Sequence, residues 1–272
     1  MATETGAGTV TRPRIAPGAG VALITLFDSA GGLLAQDTGD FAAALVACGA
    51  ASVLVAGTVG EFYALSDEER VQLFAEVRAA VPAQVPVIGH VGGVPQDRAA
   101  RLARVAADAG LSAIIALAPD RARLREYYEA IVAAAELPLL AYHFPLAGAV
   151  VPVDAIRGLP VAGIKDSSGD SARLAHQVFT LDIEVYTGAT ALLGLAHDIG
   201  AAGAFAGLAN VDPEGCALAM GGDSAAQREI AQLGVELSGD FPGAMKERAA
   251  ERFGVPAFAR TPRGRPAGQG AR

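Results

Sequence analysis

With only two cysteines, Cys48 and Cys216, in 272 residues, the chain has no CxxC pair and no Cys/His cluster. That excludes a disulfide framework and leaves no zinc-ligand spacing. Both cysteines lie among small apolar residues in helix-like stretches, where a free thiol packs as a small hydrophobe. No run of 18 uncharged apolar residues provides a membrane span; residues 192–211 come closest, interrupted by glycines and Asp198. The first 18 residues lack the apolar core of a signal peptide, so the expected location is the cytoplasm. Positive charge is also scarce. The net charge of −8 argues against nucleic acid as the main partner.

Lysine is scarcer still. Of 21 basic residues only Lys165 and Lys246 are lysines, and all the others are arginines. Lys165 falls in Val161-Ala162-Gly163-Ile164-Lys165-Asp166-Ser167-Ser168, a short apolar strand running into a polar turn. A guanidinium supplies charge but never a free amine, whereas a lysine can form a Schiff base with a carbonyl substrate. Position alone fits a snorkelling or ion-paired lysine at a strand end equally well.

What is abundant is apolar periodicity: 52% of residues are hydrophobic, enough for one large core. Eight short β-rich runs recur, at residues 21–27, 53–57, 86–91, 113–118, 139–144, 162–165, 185–188 and 204–208. Between them lie stretches of helical spacing such as 40–48, 68–80, 97–109 and 124–135. Ser66, followed three residues later by Glu69, predicts a capping box at the start of one helix. Strand–helix alternation implies parallel strands joined by right-handed crossovers. Eight units in this length match an α/β (β/α)8 TIM barrel better than an open doubly wound sheet, and no GxGxxG follows the first strand. The expected layout is a flexible segment over 1–18, the barrel over 19–211, extra C-terminal helices over 212–259 and a disordered tail over 260–272. The extra helices are read at 214–237 and 240–253.

In such a barrel, catalytic residues come from the C-terminal ends of strands. Those ends offer Thr58, Glu61, His90, Pro119, Tyr142, His143, Lys165, Asp166 and Gly188. Tyr142 ends the fifth strand and Lys165 the sixth, so at matched heights a phenol meets an amine across ~4.8 Å. The phenol can pass protons while the amine adds to a carbonyl, and an apolar barrel interior disfavours the charged form of an amine. Gly57-Thr58-Val59-Gly60-Glu61 turns sharply after the second strand and offers backbone N–H groups to a carboxylate. Glu61 is read as orienting that turn by hydrogen bonding. His90 and His143 are placed at the site mouth, while His176 and His197 fall in helices with structural or exposed roles. No metal or cofactor is called for.

Together these segments resemble the dihydrodipicolinate synthase/N-acetylneuraminate lyase family of pyruvate-dependent class I aldolases. The landmarks run in the family's order from Val21 to Pro262. They are Gly57–Glu61 with Leu65-Ser66 and Glu68-Glu69-Arg70, then His90-Val91-Gly92, Tyr142-His143-Phe144-Pro145, Gly163-Ile164-Lys165-Asp166-Ser167-Ser168-Gly169-Asp170 and Gly207-Leu208-Ala209-Asn210. The resemblance implies Lys165 as the imine-forming lysine, Tyr142 as proton relay and Thr58 joined to it. It also implies that the backbone at Thr58 and Val59 holds the pyruvate carboxylate, with Gly188 and Gly207 bordering the pocket and His90 shaping it. A homo-oligomer is implied too, a dimer or a tetramer.

Three departures stand out. Val59 replaces the family's second threonine, and losing one such hydrogen bond costs about 1 kcal/mol or more. The loop Asp120-Arg121-Ala122-Arg123 is short and lacks the relay tyrosine of the synthases. Leu146-Ala147 stands where the true synthase has an arginine for the carboxylate of aspartate semialdehyde. The expected activity is therefore a lyase cleaving or forming a 2-oxo-acid through a pyruvate enamine. The alternatives are a sugar-acid dehydratase using the same imine, the synthase itself despite the missing acceptor residues, and a catalytically silent barrel with a binding role.

Overall fold

A computed structural model describes residues 14–148 and 150–260. β1 (Gly18–Ala22) leads to α1 (Ala35–Ala47), β2 (Val53–Val55) to α2 (Asp67–Ala80), β3 (Val87–His90) to α3 (Gln96–Asp108), and β4 (Ala113–Leu117) to α4 (Leu124–Ala134). β5 (Leu139–His143) precedes α5 (Val153–Ile156), and β6 (Gly163–Asp166) precedes α6 (Ser171–Thr180). β7 (Glu184–Thr187) precedes α7 (Leu193–Asp198), and β8 (Gly203–Ala206) precedes α8 (Pro213–Met220). Two further helices, α9 (Ser224–Glu236) and α10 (Gly243–Phe253), follow. Each strand pairs in parallel with the next and β8 closes on β1, giving the (β/α)8 barrel that the alternation predicts.

Side-chain alternation along the strands divides the core in two. Leu54, Ile88, Ile115, Leu140, Tyr142, Tyr186 and Phe205 fill the barrel interior. Val53, Ile114, Ala116, Leu139, Ala141, Ile164 and Val185 face the surrounding helices. Both faces are covered, so the strands read as continuous apolar runs. Lys165 follows Ile164 by one residue and is thereby turned inward.

The capping box forms as the sequence predicts: Ser66 N donates to Glu69 Oε2 at 2.9 Å, and Glu69 N donates to Ser66 Oγ at 3.2 Å. The first strand differs from its expected span of 21–27. It starts at Gly18, and after Leu23 the backbone leaves the sheet: Ile24 N donates to Asn210 Oδ1 (2.9 Å) and Leu26 N to Thr38 Oγ1 (3.0 Å). The apolar run is buried there as a loop, which a strand pattern cannot distinguish. Gly20 in β1 leaves room for Ser52, whose Oγ would lie 2.1 Å from an added Cβ.

The single helix expected over 214–237 is broken at Gly221-Gly222-Asp223. Gly222 takes a left-handed φ of +95°, and Asp223 Oδ1 caps α9 by accepting from Ala225 N and Ala226 N. Flexibility expected for 1–18 and disorder expected for 260–272 fall mainly outside the described residues. Within them, Arg260 is anchored: its guanidinium pairs with Glu69 at 2.6 Å and donates to Gly31 O and Ala64 O.

Candidate active site

Tyr142 and Lys165 are register partners on β5 and β6. Equal height and the shared inward direction bring Lys165 Nζ over the Tyr142 ring, 4.5 Å from its centroid. The Tyr142 hydroxyl shares a hydrogen bond with Thr58 Oγ1 at 3.1 Å. All three side chains are buried, and Lys165 is only 3% exposed. Among the described residues no carboxylate pairs with its Nζ. The snorkelling and ion-paired alternatives therefore do not describe this lysine.

Thr58 is carried by a turn with two non-glycine residues in left-handed backbone, Ala56 (φ 55°) and Glu61 (φ 56°). Such conformations cost ~1–3 kcal/mol each and persist only where surroundings impose them. Here the turn closes through Glu61 N to Thr58 O and Phe62 N to Gly57 O, bonds that leave the Thr58 and Val59 amides out. Thr25 Oγ1 ties it to the loop that follows β1 by donating to Gly60 O at 2.7 Å. The Glu61 carboxylate, fully buried, accepts from Lys246 Nζ at 2.5 Å. Lys246 also donates to Phe258 O (2.8 Å) and lies 4.5 Å from the Phe27 ring centroid. Burial pulls its amine below the ordinary lysine value, and Glu61 opposes that pull. Sequence reasoning anticipated an orienting Glu61 but missed its partner. In the charged run Lys246-Glu247-Arg248, nothing marks this lysine as buried.

Asp166 follows Lys165 and therefore points outward, towards α6. It accepts from Ser168 N (2.8 Å), Ser168 Oγ (2.5 Å), Arg173 Nε (2.6 Å) and Gln177 Nε2 (2.8 Å). Burial alone would raise its pKa, but the Ser168 and Arg173 hydrogen bonds outweigh it and hold the carboxyl below its usual range. This network fixes the strand end that presents Lys165.

A cavity of about 490 Å³ opens at the C-terminal ends of the strands. Thr58, Val59, Tyr142, Lys165, Gly188 and Gly207, all expected at the site, line it together. Gly188 is required by contact: a Cβ would lie 1.9 Å from Ser167 Oγ and 2.8 Å from Lys165 Cε. The two histidines expected at the mouth are not among the lining residues. His90 points inward but is fully buried beneath the Phe62 ring, 4.6 Å between centroids, with Tyr142 at 6.0 Å. Neither of its ring nitrogens has a side-chain partner among the described residues, and burial keeps its pKa well below the ordinary value against an opposing backbone contact at Ala56. His143, one residue after Tyr142, is turned outward by the same alternation, and its Nδ1 accepts from Val151 N at 3.3 Å. His176 and His197 are exposed on α6 and α7. Sequence reasoning also missed Ser167, Thr190 and the wall formed by Ile230, Ala231, Gly234 and Val235 of α9 with Phe241 and Met245. An apolar helix face reads as core, and no local signal distinguishes core from cavity lining.

The closed (β/α)8 barrel thus gathers a buried amine, a phenol and a hydroxyl around one cavity at its strand ends. The sequence profile of the dihydrodipicolinate synthetase family matches residues 17–233, and the chain belongs to that family. An uncharacterised DapA-like lyase of Halobacterium salinarum is 32% identical over 203 residues, 71% of this chain and 67% of its own. The 4-hydroxy-tetrahydrodipicolinate synthase of Pseudomonas aeruginosa is 28% identical over 229 residues, 78% of either chain. A chloride-inhibited dihydrodipicolinate synthase of Acinetobacter baumannii, solved with pyruvate, superposes with a TM-score of 0.81 at 26% identity, over 90% of this chain and 91% of the other. N-acetylneuraminate lyase of Fusobacterium nucleatum shares the fold, with a TM-score of 0.79 at 20% identity over 91% and 90% of the two chains.

Proposed function

We propose that the protein is a Schiff-base-forming lyase that cleaves a 4-hydroxy-2-oxo-acid to pyruvate and an aldehyde, or runs the condensation in reverse. The observation that carries this reading is the buried Lys165 Nζ over the ring of Tyr142, whose hydroxyl is bonded to Thr58, inside one cavity. In this mechanism Lys165 Nζ adds to C2 of the substrate, and the carbinolamine loses water to give the imine. Tyr142, relayed through Thr58, takes the proton from the C4 hydroxyl as the C3–C4 bond breaks. The electron pair of that bond becomes the enamine of pyruvate, and the aldehyde departs. Protonation at C3 and hydrolysis of the imine release pyruvate and restore the amine. The amides of Thr58 and Val59, not used in closing the turn, face the task of holding the carboxylate.

The family resemblance extends the reading to a homo-oligomer working in the cytoplasm, which sedimentation of the purified protein and fractionation of cells test separately. The catalytic test is borohydride reduction in the presence of pyruvate. A stable adduct on Lys165, absent in Lys165→Arg, is the expected result. No adduct at saturating pyruvate would refute the mechanism.

A further inference from the structure

The half of the cavity beyond the pyruvate subsite has a chemistry of its own. Its wall is built from Phe144, Leu208, Ile230, Val235, Phe241 and Met245. α9 packs on the strand ends with Gly234 facing Leu208, where an added Cβ would sit in ordinary van der Waals contact, 3.4 Å from Leu208 Cδ1. Phe144 stacks on the Tyr142 ring, 6.1 Å between centroids with planes 7° apart, and so continues the apolar surface from the reacting centre outward.

Polar side chains are few and mostly engaged. Among the described lining residues Lys165 is the sole ionisable cation, and there is no arginine, histidine, carboxylate or amide. Thr58 and Tyr142 bond to each other, and Ser238 Oγ donates to Val235 O at 2.8 Å. Ser167 and Thr190 complete the hydroxyls, both on the β6–β7 side. A carboxylate on the acceptor would enter this space without a cation to meet it, and a polyol would lose water from several hydroxyls with few partners to replace it. A hydrocarbon substituent has the opposite balance, because its transfer out of water is favourable.

We infer that the acceptor half of this cavity takes an aldehyde bearing an apolar alkyl or aryl substituent. The natural substrate is then a 4-hydroxy-2-oxo-acid whose C4 carries that substituent. This rests on the Schiff-base reading above. In the synthetic direction the enamine C3 of pyruvate attacks the aldehyde carbon, a C–C bond forms, Tyr142 returns a proton to the alkoxide, and water hydrolyses the imine. No other reactant is needed. A cavity of about 490 Å³ falls within the ~300–1,000 Å³ of typical small-molecule sites, with room for pyruvate plus such a group.

The test is condensation of pyruvate with propanal, hexanal, benzaldehyde, succinic semialdehyde and erythrose, read as kcat/KM by product mass spectrometry beside borohydride labelling of Lys165. Burial of each methylene favours the longer aldehyde by roughly fourfold, so hexanal is expected to exceed propanal by about sixtyfold. Hexanal and benzaldehyde should both exceed succinic semialdehyde and erythrose at least ~tenfold. Val235 is 75% exposed, so Val235→Arg adds a guanidinium at the cavity without touching the core. It should lower the hexanal-to-succinic-semialdehyde ratio at least ~tenfold. Labelling with faster turnover of the carboxylate or polyol aldehydes, labelling with no condensation at all, or a ratio unmoved by Val235→Arg each overturns the apolar acceptor. Absence of labelling instead overturns the Schiff base itself.

Discussion

Replacing Lys246 by methionine keeps an unbranched apolar stem, one atom shorter, and removes one charge from a pair in which both members are fully buried. The lost contact is Nζ to Glu61 Oε1 at 2.5 Å, with the Phe258 carbonyl and the Phe27 ring as further partners of the ammonium. Breaking a buried pair by removing one partner costs about 3–5 kcal/mol, since the remaining charge stays buried. Two features favour the lower end. The Arg260 guanidinium also lies over Phe27, 4.3 Å from the ring centroid, and keeps positive charge nearby, while methionine fills the vacated volume. At ~3 kcal/mol, and ~2–4 °C per kcal/mol for chains of this size, the melting temperature should fall by roughly 6–12 °C. Because Glu61 ends the turn that carries Thr58, half-saturation for pyruvate in the borohydride assay should rise as well. Lys246→Met combined with Glu61→Gln should recover at least half of the lost stability, because no carboxylate then remains buried. Circular dichroism melts of the two variants beside the wild type decide the matter. A Lys246→Met protein melting within about 2 °C of wild type, with unchanged pyruvate saturation, would show that this pair does not hold the turn.

Two further substitutions probe the strand end of Lys165. Gly188→Ala places a Cβ against Ser167 Oγ and Lys165 Cε, so the labelling rate should drop ~100-fold, the scale expected for displacing a reacting group by about 1 Å. Near-normal labelling in a folded variant would mean that the strand end yields freely. Asp166→Asn addresses acid stability. Since folding lowers the Asp166 pKa, its contribution is present above the unfolded value of about 3.9 and is lost as pH falls through the folded value. Denaturant titrations below about pH 4 should therefore show a flatter loss of stability with acid for Asp166→Asn than for wild type. Equal slopes would remove Asp166 from the acid response.

The sequence by itself determined the repeating architecture and the juxtaposition of Tyr142 and Lys165. Strand alternation has a period of two set by backbone geometry, so Ile164 outward means Lys165 inward, wherever the strand lies. Eight strand–helix units of this length then leave a parallel barrel as the consistent packing, and adjacency of the fifth and sixth strands follows from short right-handed connections. The capping box at Ser66 and Glu69 was equally local and equally legible. The same alternation turns His143, one residue after Tyr142, outward.

Only the tertiary structure decided which segments far apart in the chain share a surface. Glu61 and Lys246 are separated by 185 positions, and nothing in the local pattern distinguishes Lys246 from a solvated helix lysine. Whether residues 21–27 continue as strand or leave the sheet depended on Asn210 and Thr38 accepting the freed amides. The apolar wall from α9 was visible as a helix face but not as a lining, because hydrophobic periodicity reports that a face avoids water without reporting what it faces. Local covalent geometry fixes direction and period; proximity is fixed by how the closed barrel folds its C-terminal helices back over the strand ends.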